Sequence, residues 1–339
     1  MHLRLKQSRI LFNLIDFTTN RDRTRSAIML QDVKMQKAKD AGQTIVHAMS
    51  IDVEDYFHVA AFAKTIKPSQ WDNMPSRVVN NTHRLLDIFE RKGIKSTFFV
   101  LGWVAEREPD LVKRIASQGH EIASHGYSHQ LIYSQSQSVF REETYKSKAI
   151  LEDIIQQPVL GYRAASYSIT KKSLWALDIL SELGFTWDSS IFPIYHDNYG
   201  IPDTPTHPYQ IKLKTGKTLT EFPITTANAL GLSIPAAGGG YFRQFPYFVF
   251  KKLFHMASNN GTSPKIFYLH PWELDPDQPR FENASWFSRF RHYTNLDKCE
   301  ARLERLIDDF QFSTMSDSLT SFEQRETFTN IDSGLIKLV

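Results

Sequence analysis

The chain has 339 residues, 41% hydrophobic and 23% charged, a balance that excludes a collagen-like, mucin-like or wholly disordered protein. Its single cysteine, Cys299, excludes an intrachain disulfide framework and a cysteine-rich zinc module, and no run approaches the roughly 18 apolar residues of a membrane span. The net charge of +3 is uneven: residues 1–48 hold nine Lys or Arg against four Asp, so the rest is slightly acidic and offers no basic face to nucleic acid.

Residues 1–42 are polar and weakly periodic, and read as a basic, poorly ordered extension. Arg4, Lys6 and Arg9 lead into no sustained apolar stretch, so no signal peptide is read and a cytoplasmic location is expected. From Thr44 onward, short apolar runs alternate with helical patterns, as in α/β architectures. Strands are expected at 44–51, 96–101, 121–123, 159–162, 185–187, 221–224 and 266–269. Helices are expected at 77–92, with Gly93 as its stop, and at 109–117, 138–155, 171–183, 247–257 and 297–310. No internal repeat interrupts the series.

The expected strand ends carry Asp52, Glu54 and Asp55, then His125 and His129, then Arg163, Asp188 and His270. Functional side chains of β/α barrels gather at such ends. His125 and His129 are four residues apart and converge if they lie on one helical turn, or on a tighter turn at Gly126. With one carboxylate from the first strand they make a two-histidine, one-carboxylate set that leaves positions open for water and substrate. Gly238-Gly239-Gly240 lacks the Lys-Ser/Thr of a phosphate loop and reads as a flexible turn at the site.

Five segments in order, SIDVEDYF, GHEIASHGYSH, GYRAASYS, TWDSS and YLHPWE, resemble the motifs of the polysaccharide deacetylases with the NodB homology domain, from about Thr44 to Asp275. DVEDYFHV, STFFVLGWVAER, DSSIFPIYHDNYGIPD and FRHYTNLD resemble the subgroup found beside bacterial exopolysaccharide and exosortase loci. The resemblance implies an α/β fold, an irregular (β/α)7-type barrel, over 43–275, with 276–339 as a subgroup extension packed on it. It also implies a divalent metal ion, with zinc expected. By position, Asp52 matches the catalytic base, His125 and His129 the metal ligands, and Arg163 the residue that orients the base. His270 matches the general acid, and Asp188 the carboxylate that holds and tunes it.

Val53 stands where the family's second aspartate usually lies, so the carboxylate ligand is Glu54 or Asp55. Strand alternation favours Glu54, which shares a face with Asp52. Ala165 and Ser166 likewise replace the usual start of the third motif before Tyr167. Trp272 is expected to stack on sugar rings, and Arg289, Arg291 and His292 either meet an acidic substrate or cap the barrel. The implied activity is removal of N-acetyl groups from amino sugars of an exopolysaccharide or its precursor, with no nucleic-acid partner. The basic N-terminal segment would allow peripheral contact with the inner face of the membrane. Two other readings share these residues: an amidohydrolase of small cyclic amides, and a carbohydrate-binding barrel without catalysis.

Overall fold

The computed structural model describes residues 45–336 apart from Lys64, 197–198, 230–231, 259–261 and Leu335. The extension expected over 1–42 lies outside the described residues.

In chain order, β1 (His47–Val53) is followed by α1 (Val78–Lys92), β2 (Thr97–Val100), α2 (Gly102–Arg107), α3 (Pro109–Ser117), β3 (Glu121–Ser124), α4 (Gln137–Ile155), β4 (Gly161–Tyr162), α5 (Trp175–Glu182) and β5 (Trp187–Asp188). Next come β6 (Tyr209–Lys212), β7 (Thr218–Glu221), β8 (Thr226–Ala229), β9 (Leu232–Pro235), α6 (Gly239–Gln244), α7 (Tyr247–Ala257) and β10 (Ile266–Leu269). The series ends with α8 (Trp286–Tyr293), α9 (Cys299–Asp309), β11 (Phe312–Ser313), α10 (Met315–Glu323) and β12 (Thr329–Asp332). Among the described residues no helix is long and apolar enough to cross a membrane.

Strands β10, β1, β2, β3, β4, β5 and β7 lie side by side in that order, all parallel. Such strands are covered on both faces, which is why STFFVL and KIFYLH read as continuous apolar runs. Within β2, Phe98 and Val100 join the large cluster shared with Leu85 and Phe89 of α1. Phe99 points the other way, into a second cluster with Ala48, Ala123, Trp187 and Phe222. The two clusters are the packing outside and inside a barrel. Its seam, between β7 and β10, is closed by a side chain: the Thr225 hydroxyl accepts from Ile266 N–H and donates to Ile266 C=O, 2.8 Å each. The fold is an irregular (β/α) barrel with seven parallel strands, extended beyond β7 by antiparallel β6 and then by β12.

Two differences from the sequence reading follow from this geometry. The strand expected at 221–224 is Thr218–Glu221, and Phe222 and Ile224 fill the barrel interior beyond its end. The first strand continues to Val53, which puts Asp52 within the ladder, paired in register with Phe99.

α1 shows how the first loop is fixed. Leu85, Leu86 and Phe89 bury its inner face, and Gly93 ends it in a left-handed conformation at φ 65°. Its first amides are satisfied from a distance: the Asp55 carboxylate accepts from Arg77 N–H at 2.7 Å, from Val78 N–H at 3.0 Å and from the Ser76 hydroxyl at 3.0 Å.

Candidate active site

Alternation along β1 sets up the site. Met49, Ile51 and Val53 pack outward, leaving Ser50 and Asp52 buried on the opposite face of the strand. Arg163, just past β4, is buried and donates from one terminal nitrogen to Asp52 Oδ1 at 2.6 Å and to the Ser50 hydroxyl at 3.0 Å. Ser189 takes the other terminal nitrogen at 3.1 Å, and the guanidinium lies 3.9 Å from the centre of the Phe99 ring. A buried ion pair is tolerated only when its remaining hydrogen bonds are made. Here they fix Asp52 in one orientation.

Glu54 follows the strand and is turned into the same cavity. Asp55 is the carboxylate spent on the start of α1. His125 continues the β3 ladder with its N–H on Val100 C=O at 3.0 Å. His125 Nδ1 lies 2.9 Å from Arg163 C=O and donates to it, because a carbonyl only accepts. That leaves Nε2 as a lone pair aimed inward, the arrangement that fixes the tautomer of a metal-binding imidazole. The chain then turns at Gly126, φ 72°, and reaches His129, which has a left-handed φ of 53°. The pair thus converges through a turn and not a helix, with ring centres 5.3 Å apart. A non-glycine residue held at positive φ costs energy and is over-determined by its surroundings.

Glu54, His125 and His129 each offer one ligand atom, all within 4.8 Å of one another. Glu54 Oε2 lies 2.8 Å from His129 Nε2, and no donor reaches it in hydrogen-bond geometry. Burial favours the neutral, lone-pair-bearing form of His125, whose pKa is lowered to about 4. Burial alone would raise the Glu54 carboxyl, and His129, His270 and His125 hold it well below the usual range. A carboxylate with an unpartnered buried oxygen beside two imidazoles fits a divalent cation.

His270 ends β10 across the cavity. Its backbone N–H donates to Glu273 Oε1 at 3.1 Å, its Nδ1 lies 2.8 Å from the same oxygen, and its Nε2 lies 3.4 Å from Glu54 Oε1. Burial would lower its pKa, but the Glu273 hydrogen bond and the charge of Glu54 outweigh that and raise it to about 9. Glu273 is held in turn by Arg243, 2.6 Å away and equally buried. Arg243 also donates to the carbonyls of Arg291 at 3.0 Å, His292 at 3.0 Å and Thr294 at 2.6 Å.

This corrects the expected role of Asp188. At the end of β5 its carboxylate accepts from the Ser190 hydroxyl at 2.7 Å and stands in register beside Glu221 of β7. The partner of His270 Nδ1 is Glu273. Burial and then the nearby Asp188 push the Glu221 carboxyl well above its ordinary range, which favours its protonated form. Trp272 is corrected too. Its ring is buried, 4% exposed, with His270 stacked on it at 5.0 Å and His292 at 4.2 Å, so little of it is open to a sugar. The glycine triplet is a tight fit: a Cβ on Gly238, φ 136°, would sit 2.0 Å from Tyr268 C=O.

Asp52, Glu54, His125, His129, His270 and Glu273 all line one cavity of about 540 Å³. Arg163 and Asp188 stand behind its wall. Three histidines and three carboxylates thus gather at the C-terminal mouth of a (β/α) barrel, where functional side chains of such barrels collect. Residues 69–187 match the polysaccharide deacetylase family, and residues 189–320 match a domain of unknown function, DUF3473. The chain therefore carries a segment of the polysaccharide deacetylase family over residues 69–187.

It is 40% identical over 70 residues to a peptidoglycan-N-acetylglucosamine deacetylase of Bacillus cereus, covering 21% of this chain and 26% of that protein. To a chitooligosaccharide deacetylase of Rhizobium leguminosarum bv. trifolii it is 33% identical over 101 residues, covering 30% of this chain and 44% of that one. The chain thus matches less than half the length of either relative. The crystal structure of a putative polysaccharide deacetylase from Mycobacterium smegmatis superposes with a TM-score of 0.57 at 21% identity, over 86% of this chain and 94% of that one. That likeness is one of fold.

Glu273 and Arg243 were not among the residues picked out by sequence. Glu273 had a local signal, because His270 and Glu273 form a capping box around Pro271–Leu274. Arg243 had none, since its partners lie 30 to 51 positions away.

Proposed function

We propose that this protein is a metal-dependent N-deacetylase of amino sugars. The observation that carries the reading is the placement of Glu54, His125 and His129 in the same cavity as the Arg163-held Asp52 and the Glu273-held His270. A bound divalent cation supplies Lewis acidity, lowering the pKa of a water from about 16 towards 7 and stabilising charge on the amide oxygen. Glu54 and the Nε2 atoms of His125 and His129 would hold it. Asp52, fixed by Arg163, accepts the proton of the attacking water. His270, hydrogen-bonded through Nδ1 to Glu273, presents Nε2 to the cavity and protonates the departing amine, a general-acid step worth about 10²–10⁴ in rate. Asp188 and Glu221 support the strand ends from behind.

The finer parts of the reading are zinc as the ion, an exopolysaccharide or its lipid-linked precursor as substrate, and action in the cytoplasm at the inner membrane face. The motif resemblance and the basic composition of residues 1–48 support them. The test is metal analysis of the purified protein followed by acetate release from N-acetylated oligosaccharides, with and without a chelator. Metal-dependent acetate release is expected. A metal-loaded protein that releases no acetate from any of them would overturn the reading.

A further inference from the structure

Five Asp, Glu, Arg or Lys side chains line the cavity. Asp52 is neutralised by Arg163, Glu273 by Arg243, and Glu54 faces three histidines. The fifth is Arg291, in the last turn of α8, and among the described residues no carboxylate forms an ion pair with it. Its guanidinium lies 5.6 Å from the centre of the Phe287 ring, beside the Tyr199 phenol. Phe287 is 61% exposed on the cavity wall, and Tyr199 stacks on Phe192 with ring centres 5.6 Å apart.

Arg291 is exposed at the cavity wall, and its backbone is anchored. Its carbonyl is bonded by Arg243, the same guanidinium that holds Glu273 and, through it, His270. One buried residue therefore ties the backbone at Arg291 to the His270 end of the cavity, leaving the guanidinium free to reach into it. A planar guanidinium suits a carboxylate or phosphate on a sugar ring, since it can bond two oxygens at once, and the exposed Phe287 ring beside it can cover an apolar sugar face.

We propose that Arg291 forms an anion-recognising subsite, so that the favoured substrate is an N-acetylated amino sugar that bears, or adjoins, a carboxylate or phosphate. This rests on the deacetylase reading above. It assigns to the DUF3473 segment the choice of substrate, whereas the metal-side histidines come from the segment matching the deacetylase family.

The test uses three ligands: a neutral N-acetylhexosamine disaccharide, the same disaccharide with a uronate neighbour, and an N-acetylhexosamine 1-phosphate. Calorimetric affinity and acetate release are measured for the wild type, Arg291→Gln and Arg291→Lys. The wild type is expected to favour at least one anionic ligand by about tenfold or more, the scale of one charge-assisted hydrogen-bond pair. Whether the uronate or the phosphate shows the preference tells which anion is read. Arg291→Gln should bring the anionic-to-neutral ratio close to one, and Arg291→Lys should keep part of it. Equal affinity of the wild type for all three, or an unchanged ratio in Arg291→Gln, overturns the subsite while leaving the deacetylase reading intact. An Arg291-dependent anion preference without acetate release from any ligand upholds the subsite and sinks the deacetylase reading.

Discussion

Glu273 grips His270 twice, taking its backbone N–H at 3.1 Å and its imidazole Nδ1 at 2.8 Å through a single carboxylate oxygen. The other oxygen is held by Arg243 at 2.6 Å. Imidazole orientation, tautomer and charge are thereby set within one turn of chain, and Pro271 at the first position of that turn makes it rigid. Asp188, two strands away around the barrel, takes no part in that contact.

Glu273→Gln and Asp188→Asn should therefore behave differently. An amine must be protonated as it leaves, so activity falls at high pH as His270 loses its proton. Glu273 favours the protonated form, so Glu273→Gln should shift the alkaline limb of the pH–rate profile downward and reduce kcat by about 10²-fold, with metal content unchanged. Asp188→Asn should leave that limb where the wild type has it. A downward shift in Asp188→Asn alone would restore Asp188 as the partner of His270.

The two acidic neighbours at the end of β1 should separate into metal binding and stability. Glu54→Ala, like His125→Ala and His129→Ala, is expected to purify without metal. Asp55→Ala should keep its metal but lose the bonds to Ser76, Arg77 and Val78. Leaving those groups unsatisfied costs about 1–3 kcal/mol, roughly 2–4 °C in Tm per kcal/mol for a domain approaching this size. Elemental analysis and thermal melts read both. Loss of metal in Asp55→Ala with retention in Glu54→Ala would reverse the assignment.

Asp52→Asn tests the base. The amide oxygen can still accept from Arg163, but the proton acceptor is gone and a buried guanidinium loses its counter-charge. The variant should be folded, less stable and metal-loaded, with kcat reduced about 10²–10⁴-fold. Binding of an N-acetylated disaccharide should persist in calorimetry. Arrival without metal would make Asp52 a ligand, and wild-type turnover would place the base elsewhere.

Glu221 offers a prediction on stability alone. Its folded pKa is raised well above its ordinary value of 4.5 by burial and by Asp188. The folded state therefore binds more protons than the unfolded chain, and stability is lost as pH climbs from about 4.5 through the raised value. Glu221→Gln keeps an oxygen for Ile191 N–H, now accepted at 2.9 Å, and gives Asp188 a permanent donor. Denaturant midpoints of the variant should fall less than those of the wild type between pH 5 and 8. Parallel curves would show that the pair is not the source of the dependence.

Much of this site could be read from order and spacing. Asp52, Glu54, His125, His129, Arg163 and His270 stand out because strand ends collect ionisable groups in a barrel and because their motifs resemble a known family, while Glu54 and Asp55 are told apart by the bonds Asp55 makes to α1, since β1 already ends at Val53. The residues that hold them were harder to see. Arg243 sits in the unremarkable run YFRQF and acquires its role from carbonyls in a later helix, which no local pattern encodes. Trp272 followed a catalytic-looking histidine and so suggested a sugar platform, but whether an aromatic face is open depends on what packs against it. In the fold, the antiparallel partner β6 and the β8–β9 hairpin escaped notice because short, half-polar strands carry little periodicity. β10 and α7 were legible to the residue, being continuous apolar or strongly amphipathic.

β1 is paired with β10 on one side and, on the other, with β2 and, at its first residues, with β11, so its register is completed by residues as distant as Phe312 and Ser313. During synthesis the strand bearing Asp52 must wait for more than two hundred further residues before its ladder can close. Contacts of that sequence separation slow folding and leave an apolar edge open meanwhile. A chain interrupted between Arg163 and β10 would contain His125, His129 and Arg163 yet lack His270, and would present the open edge of its first strand to chaperones or to other chains. Expression trials that trim the C-terminal segment should therefore yield aggregates, not a smaller barrel.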